Sequence, residues 1–234
     1  MLLSIVIGAL NEEKYIAKTL ETAFAQKTSH KVEVIVGDGY SEDKTIQIAK
    51  KLGAKVVQEK NRSAAWERQA GSRIAKGEVI CFTDADADIP DSWVQNIAEE
   101  FEKDKKLALL YGPVYLSDEG SIKKSINKYL MYYYLVVLST FGMHNPIGSN
   151  IAVRRTAFEK IGGFNTNLVT AEDLDLAKRI GKVGKLKFSK KVFVDVSARR
   201  IKKWGYIRYA IFHMINGLKF QLFGKSSKEY HPVR

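Results

Sequence analysis

Over the first hundred residues, short apolar runs alternate with stretches whose apolar positions recur at helical spacing. Leu2 to Ile7 is apolar except for Ser4 and stops at Gly8, which predicts a strand. Glu12 to Ala25 places apolar residues at 16, 20, 23 and 24, the spacing of one helix face. Val32 to Val36 predicts a second strand, closed by Gly37-Asp38-Gly39. Asp43 to Leu52 reads as a helix with Gly53 just past its end. Ala54 to Val57 reads as a strand, and Ser63 to Ile74 as a helix stopped by Lys76-Gly77. Val79 to Thr83 is a fourth strand, which runs into Asp84-Ala85-Asp86-Ala87-Asp88. Pro90 is expected to open the next helix, through Phe101, in a first-turn position where its missing N–H costs nothing. Near-continuous apolar strands alternating with amphipathic helices predict an α/β fold with a mostly parallel sheet covered on both faces.

Past residue 105 the alternation loosens. Leu107 to Leu116 reads as one strand, Ser121 to Phe141 as a long tyrosine-rich helix, and Gly148 to Val153 as a strand. Glu172 to Ile180 reads as a helix with Thr170 as its cap, and short strands are expected near Leu186 and over Val192 to Val196. Residues 200–223 read as a single basic, aromatic, amphipathic helix.

The composition is that of a folded globular chain: 234 residues, 45% apolar and 27% charged. The single cysteine, Cys81, rules out an internal disulfide and a cysteine zinc cluster, and it reads as a small buried residue inside a strand. Thirty-eight Lys and Arg against 26 Asp and Glu give a net charge of +12, which favours phosphate-bearing partners: nucleic acid, nucleotides or anionic lipid headgroups. The first apolar run is too short for a secretory signal. Tyr129 to Phe141 is too short to span a bilayer, and Trp204 to Phe223 is interrupted by Arg208, His213, Asn216 and Lys219. The chain is therefore expected to lie on a membrane rather than cross it. Lys123, Lys124 and Lys128 beside Tyr129 to Tyr134 have the basic and aromatic mixture of an interfacial anchor. So do Arg199, Arg200, Lys202, Lys203, Trp204, Arg208 and Lys219 among Tyr206, Ile207, Ile211, Phe212, Ile215 and Leu218.

Ligands of open parallel sheets bind beyond the carboxyl ends of the strands. This chain puts Asn11-Glu12-Glu13 there after the first strand, Asp38 after the second, and Asp84, Asp86 and Asp88 after the fourth. Residues two apart at a strand end point the same way, so Asp84 and Asp86 repel unless a cation lies between them. Hard carboxylate oxygens suit Mg²⁺ or Mn²⁺, which completes its shell with the oxygens of a substrate diphosphate. Asp88 reads as a helix cap before Pro90.

Six elements in order resemble the family 2 glycosyltransferases. Ser4-Ile5-Val6-Ile7-Gly8-Ala9-Leu10-Asn11-Glu12-Glu13 is similar to their opening, with Gly8 where proline is usual and Leu10 where tyrosine is usual. Val36-Gly37-Asp38-Gly39-Tyr40-Ser41-Glu42-Asp43 resembles their second signature, and Phe82-Thr83-Asp84-Ala85-Asp86 their D-x-D strand. Gly148-Ser149-Asn150 with Arg154-Arg155, Ile161-Gly162-Gly163-Phe164 and Ala171-Glu172-Asp173-Leu174-Asp175-Leu176 follow, while the Q-x-x-R-W element of processive synthases is absent. The resemblance, nearest to dolichol-phosphate-sugar synthases and other lipid-linked glycosyltransferases, implies a GT-A fold over residues 1–198. Residues 1–105 would form the donor-nucleotide half and 106–198 the acceptor half, followed by a basic amphipathic helix and tail at 199–234. It implies inverting transfer from a UDP- or GDP-sugar to a sugar or polyprenyl-phosphate acceptor, with Mg²⁺ or Mn²⁺ as cofactor, on the cytoplasmic inner face of a membrane. It gives Asp38 to the nucleobase, Glu12 to the nucleoside, and Asp84 and Asp86 to the metal; Arg62, beside the start of the third helix, reads either as a contact to the donor phosphates or as a surface salt bridge. Asp173 becomes the catalytic base, with Glu172 as its orienter, and Gly148 and Asn150 line the acceptor side.

Other classes fit less well. A sugar nucleotidyltransferase shares the sheet architecture but needs a glycine-rich loop where Asn11-Glu12-Glu13 stands. A dinucleotide-dependent oxidoreductase lacks its G-x-G-x-x-G after the first strand. A basic nucleic-acid-binding module has no use for carboxylates at successive strand ends, which repel a phosphate backbone. An inactive glycosyltransferase serving as a binding protein stays open.

Overall fold

The structure, a computed structural model, describes residues 1–117, 121–224 and 226–227, with the backbone alone at 121–127 and 210. The side chains of Lys123 and Lys124 lie outside the described residues.

The elements run β1 (Leu2–Ala9), α1 (Ile16–Phe24), β2 (Lys31–Asp38), α2 (Thr45–Lys51), β3 (Lys55–Gln58), α3 (Ala64–Ile74) and β4 (Val79–Asp84). Then come β5 (Ala87–Asp88), α4 (Trp93–Lys103), β6 (Leu107–Tyr111), β7 (Val114–Leu116), α5 (Ser121–Thr140), β8 (Ile151–Arg154) and α6 (Arg155–Lys160). The chain continues through α7 (Glu172–Ile180), β9 (Lys185–Phe188), β10 (Val194–Val196), α8 (Arg199–Trp204) and α9 (Tyr206–Phe223). A seven-stranded sheet has the order β3-β2-β1-β4-β8-β6-β9, and a three-stranded sheet the order β5-β10-β7. Strands β3, β2, β1 and β4 are mutually parallel, whereas β8 runs antiparallel to both β4 and β6.

Alternation along the strands divides the core into two layers. Ile5, Ile7 and Cys81 pack with Ile16 and Leu20 of α1 and with Trp93, Ile97 and Phe101 of α4. Val6, Ile35, Ile80 and Phe82 face the other way, toward Ala65 of α3, Phe158 of α6 and Ile180 of α7. Every residue named here is buried, so the strands are apolar on both faces, and Cys81 is a sealed strand residue whose thiol burial pushes up. Helix α3 lies very close to β2: a Cβ on Gly37 would stand 2.0 Å from the Glu67 carbonyl oxygen.

Several local expectations change. The strand expected over Leu107 to Leu116 breaks at Gly112-Pro113, and its two parts join different sheets. Proline cannot donate to a ladder, so continuous pairing ends there. Pro90 does not open α4; its carbonyl accepts from Trp93 N–H in a preceding turn, and Ser92 is the N-cap residue. Asp88 is no cap either: it sits in β5, with Lys18 Nζ 2.7 Å from its carboxylate. Thr170 does not cap α7. Ala171 does, in the left-handed region at φ 63°, while the Thr170 hydroxyl donates to the Ser227 carbonyl. The helix read over 200–223 is two helices, α8 and α9, turned at Gly205 with φ 84°. Among the described residues no helix is long and apolar enough to cross a membrane.

Candidate active site

The carboxyl ends of β2, β1 and β4 lie side by side, with Asp38 paired to Ala9 and Asp84 paired to Gly8. Asp38 is fully buried and accepts from the Ser41 N–H at 2.8 Å and the Ser41 hydroxyl at 2.5 Å. Ser41 Oγ in turn accepts from the Asn11 N–H at 2.8 Å, and the Asn11 side-chain oxygen accepts from the Glu42 N–H at 2.8 Å. These bonds lock the loops after β1 and β2 together. Asn11 and Tyr40 hold the loops' turns with φ of 56° and 64°.

Across the crevice, Arg68 of α3 is almost wholly buried and donates in two directions. Its Nη2 reaches Asp84 at 2.6 Å and its Nη1 reaches Glu172 at 2.8 Å. One guanidinium thus ties the end of β4 to the start of α7. Next to it, the partly buried Asp173 accepts from the Gly148 N–H at 3.0 Å and the Leu174 N–H at 2.8 Å. Burial and the neighbouring Glu172 raise the Asp173 carboxyl well above its ordinary range, against the pull of Arg68 and the two N–H donors. Gly148 is close enough to Arg68 that a Cβ there would stand 2.5 Å from Nη1.

A second arginine serves the other carboxylates. Arg199, the first residue of α8, donates Nη1 to Glu12 at 2.7 Å and Nη2 to the other Glu12 oxygen, and its Nε lies 3.2 Å from Asp86. Its guanidinium is stacked 4.5 Å from the centre of the Tyr15 ring. Burial pushes the Asp86 carboxyl up to about 7 against the pull of Arg199, with Asp84 and Glu12 adding to the rise.

The structure gathers Asp84, Asp86, Glu12, Glu172, Asp173 and Gly148 around these two arginines. Arg62 stays outside: it is exposed, pairs with Glu42 and donates to the Tyr40 carbonyl at 3.2 Å. Asn150 is fully buried, accepting from Trp93 Nε1 at 3.0 Å and donating to the Pro113 and Val192 carbonyls. Its amide holds α4 and the segments leading into β7 and β10 together. The sequence reading overlooked Arg199, which it grouped with surface anchors. The side chain is only 16% exposed and turned inward.

The donor set for a metal is two carboxylates. Among the described residues no three His, Cys, Asp or Glu side chains converge on a cation site. Asp84 is 36% exposed, and Asp86, although held by Arg199, has its carboxyl raised because it is buried. Such a pair fits a hard divalent ion that keeps waters and takes phosphate oxygens for the rest of its shell.

A parallel sheet whose strand ends carry these acids, extended past an antiparallel β8, is the GT-A fold. The chain belongs to glycosyl transferase family 2, whose family model matches residues 4–162. A glucosyl-dolichyl phosphate glucuronosyltransferase of Haloferax volcanii is 28% identical over 181 residues, 71% of this chain and 57% of that protein. The UDP-Glc:alpha-D-GlcNAc-diphosphoundecaprenol beta-1,3-glucosyltransferase of Escherichia coli is 37% identical over 97 residues, 40% of this chain and 37% of that protein. The chain therefore spans well under two thirds of the length of these relatives. Among solved structures, a Pyrobaculum calidifontis mannosyltransferase in complex with GDP-Man and Mn²⁺ superposes with a TM-score of 0.74 at 22% identity, covering 96% of this chain and 65% of that one. Residues 1–349 of S. aureus TarS give a TM-score of 0.67 at 18% identity, covering 95% and 73%. At these identities the superpositions establish the fold.

Proposed function

We propose that this protein transfers a sugar, with inversion, from a UDP- or GDP-sugar to a lipid-linked acceptor at a membrane surface. The observation that carries the proposal is the Arg68 bridge, which brings the Asp84 strand end within one side chain of the Glu172-Asp173 pair. Donor chemistry and acceptor chemistry then share one crevice.

In this reading the Ser41 loop that covers Asp38 shifts when the donor binds, and the uncovered carboxylate accepts from the imide N–H of the base. Asp84 and Asp86 would hold Mg²⁺ or Mn²⁺, which when bound neutralises the diphosphate as it departs. Arg68 adds a fixed positive charge beside that position. Asp173 accepts the proton of an attacking hydroxyl, and its raised pKa suits a base working near neutral pH. The Gly148 and Leu174 N–H groups fix the carboxylate's direction. A polyprenyl-phosphate acceptor already carries an anionic oxygen near neutral pH, so Asp173 would matter less with it. The relatives named above act, by their names, on dolichyl phosphate and diphosphoundecaprenol sugars. That agrees with the exposed apolar side chains of α5 and α9 and with a groove of about 700 Å³ beside Phe212, Ile215 and Phe223. The same surfaces support peripheral attachment to a membrane.

The test is thermal denaturation with a panel of UDP- and GDP-sugars, with and without Mn²⁺. A shift confined to one nucleotide and enlarged by Mn²⁺ identifies the donor. No shift with any nucleotide removes the donor site.

A further inference from the structure

Arg199 is held in the crevice from three sides. Glu12 takes both of its terminal nitrogens, Asp86 lies 3.2 Å from Nε, and Tyr15 stacks on its face. The backbone leading to it is equally fixed. Strand β10 pairs with β5, directly after Asp86, and the Ser197 N–H donates to the Asp86 carbonyl at 3.3 Å. Arg199 is therefore carried by the ladder that carries Asp86, not by a loose tail. A planar fork with this many donors suits two carboxylates at once, which a lysine cannot match.

We infer that Arg199 is a positioning residue that joins Glu12 to Asp86 and sets the order of loading: its charge opposes a bare divalent cation at Asp86 until a nucleoside diphosphate arrives. The inference rests on the proposed donor site and deepens it. A guanidinium and a divalent ion on one carboxylate repel each other, and with Arg199 and Asp86 only 16% and 13% exposed little water lies between to screen them. The two phosphates of the nucleotide bring the negative charge that lets both cations stay. Their oxygens also offer Arg199 a second bidentate partner in place of Glu12. Metal and nucleotide then bind with positive coupling, and Arg199 is one source of it.

Binding of Mn²⁺ alone, read by the electron paramagnetic resonance signal of the free ion, tests this without turnover. Arg199→Gln removes the cation that Glu12 and Asp86 share, leaving Asp86 only the weaker pull of Arg200, and should bind Mn²⁺ about tenfold more tightly than the unaltered protein, within the usual range of coupling between sites. Arg199→Lys keeps the charge but loses the fork, and its affinity should fall between the two, still above the unaltered protein. UDP and GDP should strengthen Mn²⁺ binding more in the unaltered protein than in Arg199→Gln. If Arg199→Gln does not fold, judged by circular dichroism, the lysine variant decides alone. Equal or weaker Mn²⁺ binding by the variants, or none by any of the proteins, overturns the inference. A purely structural role gives that result, because a disordered crevice loses metal affinity. Failure of UDP and GDP to bind at all is a separate result and counts against the donor site itself.

Discussion

Asp84 and Glu172, far apart in sequence, share the guanidinium of Arg68, at 2.6 and 2.8 Å. Arg68→Met should therefore leave two acids facing one another with no counter-charge. Breaking a buried pair from one side costs about 3–5 kcal/mol, and the partial exposure of Asp84 places this case near the lower figure. Urea denaturation is the measurement. Adding Glu172→Gln to Arg68→Met should recover part of the loss, because it removes one of the stranded charges. An additive double variant would show that the bridge contributes no coupling.

The acid limb of the pH–rate profile should report Asp173. Burial and Glu172 both raise its pKa, so the base is protonated, and activity lost, at a higher pH than for an ordinary aspartate. In Glu172→Gln the charge that raises Asp173 is gone, and Arg68 loses a competing partner. Both changes favour the carboxylate, so the limb should move to lower pH. The comparison is kcat/KM against pH for both proteins with a hydroxyl acceptor. A limb that moves upward, or stays, separates Asp173 from the proton transfer.

Gly148→Ala should cost activity out of proportion to stability. The added Cβ would meet the tip of Arg68 at 2.5–2.7 Å. A free arginine would step aside cheaply, but this one is pinned at both ends. The fold should lose roughly 1–3 kcal/mol as in other overpacked sites, while the Asp84–Glu172 geometry is displaced. Gly37→Ala makes the contrast, since there the obstacle is the Glu67 backbone carbonyl at 2.0 Å and the helix itself must move. Melting temperatures and kcat for the two variants distinguish the cases.

The strand–helix alternation of the first hundred residues was legible because β1 and β4 and the second half of β2 are buried on both faces and the helices between them on one. Asp84 and Asp86 stood out for the same reason: acids at the end of an apolar run have few structural uses. What stayed hidden depends on contacts between distant segments. Nothing local marks Arg199 as different from Lys202 or Lys203; only the pairing of β10 with β5 turns it inward. Asn150 lies in a motif that suggested an acceptor contact, yet the chain uses its amide to satisfy two carbonyls and an indole. The breaks at Gly112-Pro113 and Gly205 were signalled by their residues. Apolar runs on both sides masked the first, and a basic-aromatic pattern that continues across Gly205 masked the second.

Helix α9 should carry the contact with lipid, because its apolar stripe faces outward. The helix is fastened by Asn216, bonded to Thr170, and by Phe220, packed on Leu174 and Ala171. On the opposite side, Ile207, Ile211, Met214, Leu218 and Leu222 recur at helical spacing and are all exposed, Ile207 by 77% and Leu222 by 71%. An apolar stripe left open beside Lys202, Lys203 and Arg208 matches the interfacial region of an anionic bilayer. Each basic residue near such a surface adds about 1 kcal/mol, and salt weakens that share but not the apolar one. In flotation with anionic vesicles the protein should bind at low salt and be retained in part at high salt. Ile207→Asp with Leu222→Asp should abolish the retained part and leave the melting temperature within about 2–4 °C, since both sites are on the surface. Equal flotation of the double variant would exclude this stripe as the lipid contact.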